Sequence, residues 1–342
     1  MSDPSTGLLP NALSPAPTPP QSSGHTLFRG PGGIRAGWRV AIYLTSAAVV
    51  LFLLMLVAAL FVRGRSLQVS QVTPLGTALV ESGILLIAVI PALIMARIEH
   101  RKFGDYGLPV RSWFGLHFWI GSMVGFLSIS VCLLAIFVFH GFHLTGFSID
   151  GRTIPAASAA WAAAFVMVGL AEEFSFRGYL QFTLTTGIGF WPSAFFLSVL
   201  FGVVHAGNPG ESAAGLLSVV LFGLLFCVFL RRTGNLWWAV GFHAGWDWGQ
   251  TFFYGVPDSG VAPYHSLFNC TFNGPRWLTG GTVGPEASIF APIVLIIVAI
   301  AFTSVYHDIR YQSGPSDAGM SAYRSRLSQS VVKARRCFTR KL

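Results

Sequence analysis

Charge is what this sequence lacks most. Of 342 residues, 22 are Lys or Arg and 13 are Asp or Glu, only 10% together, against about 25% in a soluble domain. A chain so poor in charge cannot clothe a soluble surface, and hydrophobic residues make up 53% of it. The net charge of +9 has no soluble domain to present it as a basic face, so no nucleic-acid partner is expected. Cysteine is scarce as well. Cys132, Cys227, Cys270 and Cys337 are the only four, with no CxxC spacing, which implies neither a disulfide framework nor a thiolate zinc site. There is no HExxH, no internal repeat, and no inverted pair of broken helices of the kind transporters carry.

Long apolar blocks fill the space. Val40–Val62 runs without a charge and is closed by Arg63 and Arg65; about 20 apolar residues cross a bilayer. The block lies too far from the N-terminus for a secretory signal, and no small-residue cleavage site follows it. Seven more candidate spans follow: Leu75–Met95, Gly115–Phe139, Ala157–Leu184, Phe190–His205, Ser212–Leu230, Leu236–Tyr254 and Ser288–Tyr306. The expected fold is therefore all-α, a polytopic transmembrane helical bundle of about eight spans in a lipid bilayer. Trp113, Trp119, Trp191, Trp237 and Trp238 near span ends suit interfacial anchoring.

The ends and loops divide the chain further. Residues 1–36 read as a disordered cytoplasmic leader, rich in Pro, Ser, Thr and Gly over 1–26. Helices 1–3 occupy 37–155 and a core of helices 4–7 occupies 156–255. The Pro- and Gly-rich stretch 256–287 reads as an external loop and candidate lid. The last span (288–309) and a basic cytoplasmic tail (310–342) complete the chain.

The polar residues inside the spans carry the functional signal. Glu172, Glu173, Arg177, His205, His243 and Asp247 fall within apolar segments. Each would cost about 2.5–3.5 kcal/mol near a helix centre facing lipid, so all six are expected to face one another or water. Glu173 and Arg177 are four apart, acid before base, the favoured order for a helical ion pair. Glu172 points about 100° away from that face. Phe201 and His205 are also four apart, as are His243 and Asp247, so a ring can pack on one imidazole and a carboxylate can orient or charge-pair the other. Glu81, six residues into its span, reads as a group near the outer interface or bonded to a neighbouring helix.

The ordered trio Glu172-Glu173-x-x-x-Arg177, Phe201-x-x-x-His205 and His243-x-x-x-Asp247 resembles the CAAX-protease and bacteriocin-processing (CPBP, or Abi) family of intramembrane proteases, over roughly Ser158–Tyr254. Asp247 stands where eukaryotic prenyl-protein proteases usually carry Asn. The resemblance implies a CPBP-type core and an endopeptidase acting on a protein or peptide at or in the membrane. It also implies that Glu172 and His205 activate water, while His243 with Asp247 stabilises the oxyanion or binds metal.

Peptide hydrolysis needs a base for water, a donor for the oxyanion and a proton for the leaving amine. Glu172 can serve as base and then acid, His205 can share the water, and His243 can donate to the oxyanion. A metalloprotease reading stays open beside this one, with Zn²⁺ on His205, His243, Glu172 and Asp247. Two other classes are a non-catalytic scaffold of the same fold and a proton- or ion-coupled transporter. Against the transporter, the ionisable positions cluster in three motifs instead of tracing a path across the bilayer.

The charges also orient the bundle. Seventeen basic residues fall on the side of both termini and four (Arg63, Arg65, Arg152 and Arg276) on the other, which places both termini in the cytoplasm, with a bacterial inner membrane as the expected site. A reporter fused after Leu342 should be active only in the cytoplasmic form; an external signal would reverse the topology.

Overall fold

The computed structural model describes residues 27–30, 33–62, 72–262 and 264–311. The leader before 27, the tail after 311 and Cys337 lie outside the described residues. The chain divides into two units, 1–35 and 36–342. In the first, β1 (Arg29–Gly30) pairs antiparallel with β2 (Gly33–Ile34).

The second unit is helical. Its elements are α1 (Ala36–Val62), α2 (Pro74–Ile98), α3 (Leu116–Val138), β3 (Phe142–Phe147), α4 (Ile154–Arg177), α5 (Tyr179–Ile188), α6 (Phe190–His205), α7 (Ala213–Thr233), α8 (Trp237–Asp247), β4 (Phe268–Phe272), α9 (Arg276–Thr279) and α10 (Phe290–Val305). Each expected apolar segment is helical, although those over 157–184 and 236–254 are each divided between two helical elements. Among the described residues, five stretches are by length and composition apolar enough to cross a membrane: Ala36–Leu60, Pro74–Ile98, Leu116–Val138, Ile154–Ile188 and Ala213–Thr233. α6 and α10, at 16 residues each, are shorter, reaching about 24 Å at 1.5 Å per residue against a hydrocarbon core of about 30 Å.

Local chemistry sets the helix ends. Thr73 caps α2, its hydroxyl accepting from Gly76 N–H at 3.1 Å ahead of Pro74 at the first turn, and Ser212 caps α7 in the same way. Gly234 closes α7 in the left-handed conformation, φ +76°. The segment expected as one helix over 157–184 breaks at Gly178, whose ψ of −119° leaves the helical region; α4 ends at Arg177 and α5 starts afresh. The segment expected over 236–254 is also divided. α8 stops at Asp247 and a π-helical turn covers Trp248–Phe253, a local widening often found at functional sites.

The all-α expectation needs one correction besides the β1–β2 pair. β3 and β4 form a two-stranded antiparallel sheet with a register shift between Leu144 and Gly146. Alternating side chains in Phe142–Phe147 and Phe268–Phe272 let Phe142 meet Phe272 and Phe147 stack on Phe268 at 5.0 Å. The 256–287 loop thus contains a strand and the short helix α9.

Glycine pairs bring α8 against α3. A Cβ on Gly121 or Gly125 of α3 would strike the carbonyl of Trp238 or Phe242, and one on Gly241 or Gly245 of α8 would strike that of Phe118 or Ser122. Two G-x-x-x-G faces therefore meet backbone to backbone, the packing mode that small residues allow between membrane helices. Glu99 accepts from Arg39 at 2.8 and 2.7 Å, from Tyr179 at 2.7 Å and from Tyr106 at 3.1 Å, tying α1 and α5 to the end of α2.

Gly245→Ala should lower thermal stability by about 1–3 kcal/mol, the usual cost of overpacking. Gly83→Ala, where an added Cβ meets nothing within 4 Å, should leave it unchanged or slightly higher. Equal midpoints for the two variants in detergent would refute backbone contact as the reason for the glycines.

Candidate active site

Three helix ends deliver the site. α4 presents Glu172 and Glu173 in its last two turns, α6 ends at His205, and α8 ends with His243 and Asp247. They line a cavity of about 170 Å³ whose apolar wall includes Trp161, Phe165, Phe222 and Trp246. Glu172 Oε2 lies 3.9 Å from His205 Nε2 and 3.6 Å from His243 Nε2. These separations exceed a direct hydrogen bond and leave room for a bridging water.

Each imidazole is fixed from behind. The His205 Nδ1–H donates to the Phe201 carbonyl at 2.7 Å, and the Phe201 ring stands edge-on to the imidazole, centroids 4.6 Å apart. The His243 Nδ1–H donates to Glu173 Oε1 at 3.1 Å, and Phe226 stacks on the ring at 5.4 Å. Both Nε2 atoms are thereby turned toward Glu172, because the other ring nitrogen is committed.

Glu173 has two partners. It is fully buried with Arg177, whose Nη1 lies 3.4 Å from Oε1, the ion pair read from the i, i+4 spacing. The same oxygen accepts from His243. The spacing of Asp247 suggested that it orients or charge-pairs the imidazole; it lies 3.5 Å from Nε2 on the cavity side as a pair, and the hydrogen bond that orients the ring comes from Glu173 on α4.

Three further acids belong to this neighbourhood. Asp258 and Glu286, from the 256–287 loop, line the cavity. Burial pushes the Asp258 carboxyl up to about 6 despite the Thr251 hydroxyl donating to it at 2.9 Å. Burial, with Asp258 adding to it, pushes Glu286 up to about 8. Glu286 accepts from Trp246 Nε1 at 3.2 Å and from the Ser259 amide and hydroxyl at 3.1 and 2.9 Å. Glu81 of α2, read as interfacial, interacts electrostatically with Glu172 and His243. Sequence spacing could not place Asp258 or Glu286, since no helical period links them to α8, though an acid beside a glycine or proline in a lid-like loop was a usable signal.

Among the described residues, the three potential metal ligands whose donor atoms all lie within 4.8 Å of one another are Asp247, Asp258 and Glu286. That all-oxygen set differs from the expected His205, His243, Glu172 and Asp247. It suits a hard cation better than zinc, which favours nitrogen and sulfur.

Residues 154–249 match the type II CAAX prenyl endopeptidase Rce1-like family. The matched segment holds all three motifs, and the family whose model it matches is one of the CPBP/Abi group, so the resemblance read from the motifs stands over nearly the same residues. It is a protease family, and with the apolar helices it makes the chain an integral membrane protein. No curated protein matches the chain.

Glu173→Gln should leave the buried guanidinium without its counter-charge, a loss of about 3–5 kcal/mol for a broken buried pair. The check is the denaturation midpoint of the purified variant beside the parent. An unchanged midpoint would show that the pair does not hold the helix ends.

Proposed function

We propose that the protein is an intramembrane endopeptidase in which Glu172 and His205 activate water and His243 polarises the scissile carbonyl. The observation that carries this reading is Glu172 Oε2 standing between the two Nε2 atoms, at 3.9 and 3.6 Å. A water held by Glu172 and His205 attacks the carbonyl carbon and passes its proton to Glu172. In its doubly protonated form His243 donates from Nε2 to the developing oxyanion while Nδ1–H stays on Glu173. Collapse of the tetrahedral intermediate breaks the C–N bond, and Glu172 returns the proton to the leaving amine. Products are a carboxylic acid and an amine, and the base is regenerated.

A divalent metal such as Zn²⁺ is the second reading, favoured by one observation. Both histidines donate Nδ1–H to an acceptor and turn Nε2 inward, the orientation of metal-bound imidazoles backed by an outer acceptor. His205, His243 and Glu172, with Asp247, would hold it, and it would supply a water acidified to a pKa of about 7.

The substrate in either case is a protein or peptide segment at the membrane. The 256–287 loop is proposed as its lid, since Asp258, Ser259, Val261 and Glu286 line the cavity. An eight-segment bundle in a bacterial inner membrane with both termini cytoplasmic completes the proposal. It is supported by the basic asymmetry and by α8, whose residues are almost all buried and so can cross within protein.

Glu172→Gln keeps size and hydrogen bonding and removes the base. In detergent it should melt as the parent does and cleave peptide at least about a hundredfold more slowly, the lower range for general-base catalysis. Parent activity should survive exhaustive chelation; loss on chelation with recovery on added Zn²⁺ would move the mechanism to the metal. A stable, fully active Glu172→Gln would remove Glu172 from the chemistry.

A further inference from the structure

Arg177 is fully buried, and among the described residues Glu173 is its one carboxylate partner. Nη1 reaches Glu173 Oε1 at 3.4 Å, Nε and Nη2 meet no oxygen or nitrogen partner, and the Cys227 thiol of α7 lies beside the guanidinium. The guanidinium is held by shape instead. Its carbon lies 4.2 Å from the Phe201 ring centroid, 5.6 Å from Phe176 and 5.7 Å from Phe226, where cation–π attraction is strong because water is excluded. The remaining side is closed by bare backbone at Gly223 of α7. A Cβ there would stand 2.5 Å from Nη2, 2.8 Å from Ser198 Oγ and 2.9 Å from Ser198 Cβ. Glycine is a poor helix former, and Gly223 sits in the middle of α7.

The slot matters because of what Arg177 holds. One oxygen, Glu173 Oε1, accepts from both Arg177 and His243, and Oε2 has no partner. The place of that oxygen is therefore set by the guanidinium on one side and felt by the imidazole on the other. A side chain at Gly223 moves the flexible end of Arg177 first, since the helix backbones resist more than a side-chain tip does.

We infer that Gly223 is a positioning residue: the missing side chain on α7 lets Arg177 hold Glu173 where it fixes the orientation of His243, 20 positions further along the chain. This inference rests on the proposed role of His243 for its catalytic consequence, but not for its structural one.

The experiment uses the full chain in detergent with ¹⁵N-histidine, comparing the parent with Gly223→Ala. In the parent the His243 signal should report a protonated Nδ1 bonded to a carboxylate. Gly223→Ala should shift or broaden that signal and lower kcat by about a hundredfold, the scale of a misplaced catalytic group, with KM changed by less than about twofold. Two double variants separate the contacts. Gly223→Ala with Arg177→Lys removes the branched tip that the new methyl meets and should restore the signal and much of kcat. Gly223→Ala with Ser198→Gly should not. Should Gly223→Ala fail to fold, recovery of folding in the first double variant alone supports the inference in the same way.

An unchanged His243 signal in a folded Gly223→Ala overturns the inference. So does rescue by Ser198→Gly alone, which would make the glycine a helix-packing device, and so does rescue by neither. If the parent itself cleaves no peptide while the signals behave as expected, the proposed function fails and the positioning role stands.

Discussion

A fully buried carboxylate shared by two donors organises this molecule. Glu173 sits where neither water nor lipid can solvate it, so its charge is tolerable only beside Arg177, and Arg177 is tolerable only beside Glu173. The pair locks the last turn of α4 on which Glu172 also stands. Because the same oxygen binds His243, it also sets how α8 presents its imidazole. Helix end, histidine orientation and the free face of Glu172 all follow from one desolvated ion pair.

Close packing supplies what electrostatics cannot. The contact of Glu173 with His243 requires α8 to lie deep in the bundle, and the glycines of α3 and α8 remove the side chains that would hold the helices apart. The gain there is dispersion between backbones, which lipid tails cannot imitate as closely. On its other faces α8 meets an aromatic core of Phe222, Phe226, Phe229 and Phe302. A rigid surround of this kind keeps the separations around Glu172 near 3.6 and 3.9 Å without direct bonds.

Much of this was legible because helices repeat. The i, i+4 spacing of Glu173 with Arg177 and of Phe201 with His205 gave pairs that meet in space. The cost of charge in a bilayer indicated that the three motifs face one cavity. Spacing within a helix says nothing of contacts between helices, however, and so the bond from Glu173 to His243 was not visible, nor was the approach of Glu81. Hydropathy ran through Gly178 and Trp248 because both stretches stay apolar while the backbone changes course. The strands β3 and β4 alternate visibly, but pairing of Phe142 with Phe272 and of Phe147 with Phe268, far apart in the chain, has no local signature. The facing G-x-x-x-G pairs, by contrast, were present to be read.

The loop carboxylates complete the electrostatics. Around His243 and His205 the cavity gathers Glu172, Asp247, Asp258 and Glu286, more negative charge than two imidazoles can balance. Three of those carboxylates come within 4.8 Å of one another, where full ionisation is unfavourable in a low dielectric. Protons resolve the conflict: burial raises both Glu286 and Asp258 above the ordinary carboxylate range, so the cluster holds a proton at a pH where exposed carboxylates have lost theirs. The sign matters for stability. A carboxyl whose folded value is raised holds its proton more tightly when folded, so these two groups favour the folded loop at low pH. That contribution is lost as the pH rises through about 6 and then about 8. The loop that lines the cavity is therefore held least firmly in alkali, and the hydrogen bonds from Ser259, Thr251 and Trp246 are what keep its acids in place once they ionise.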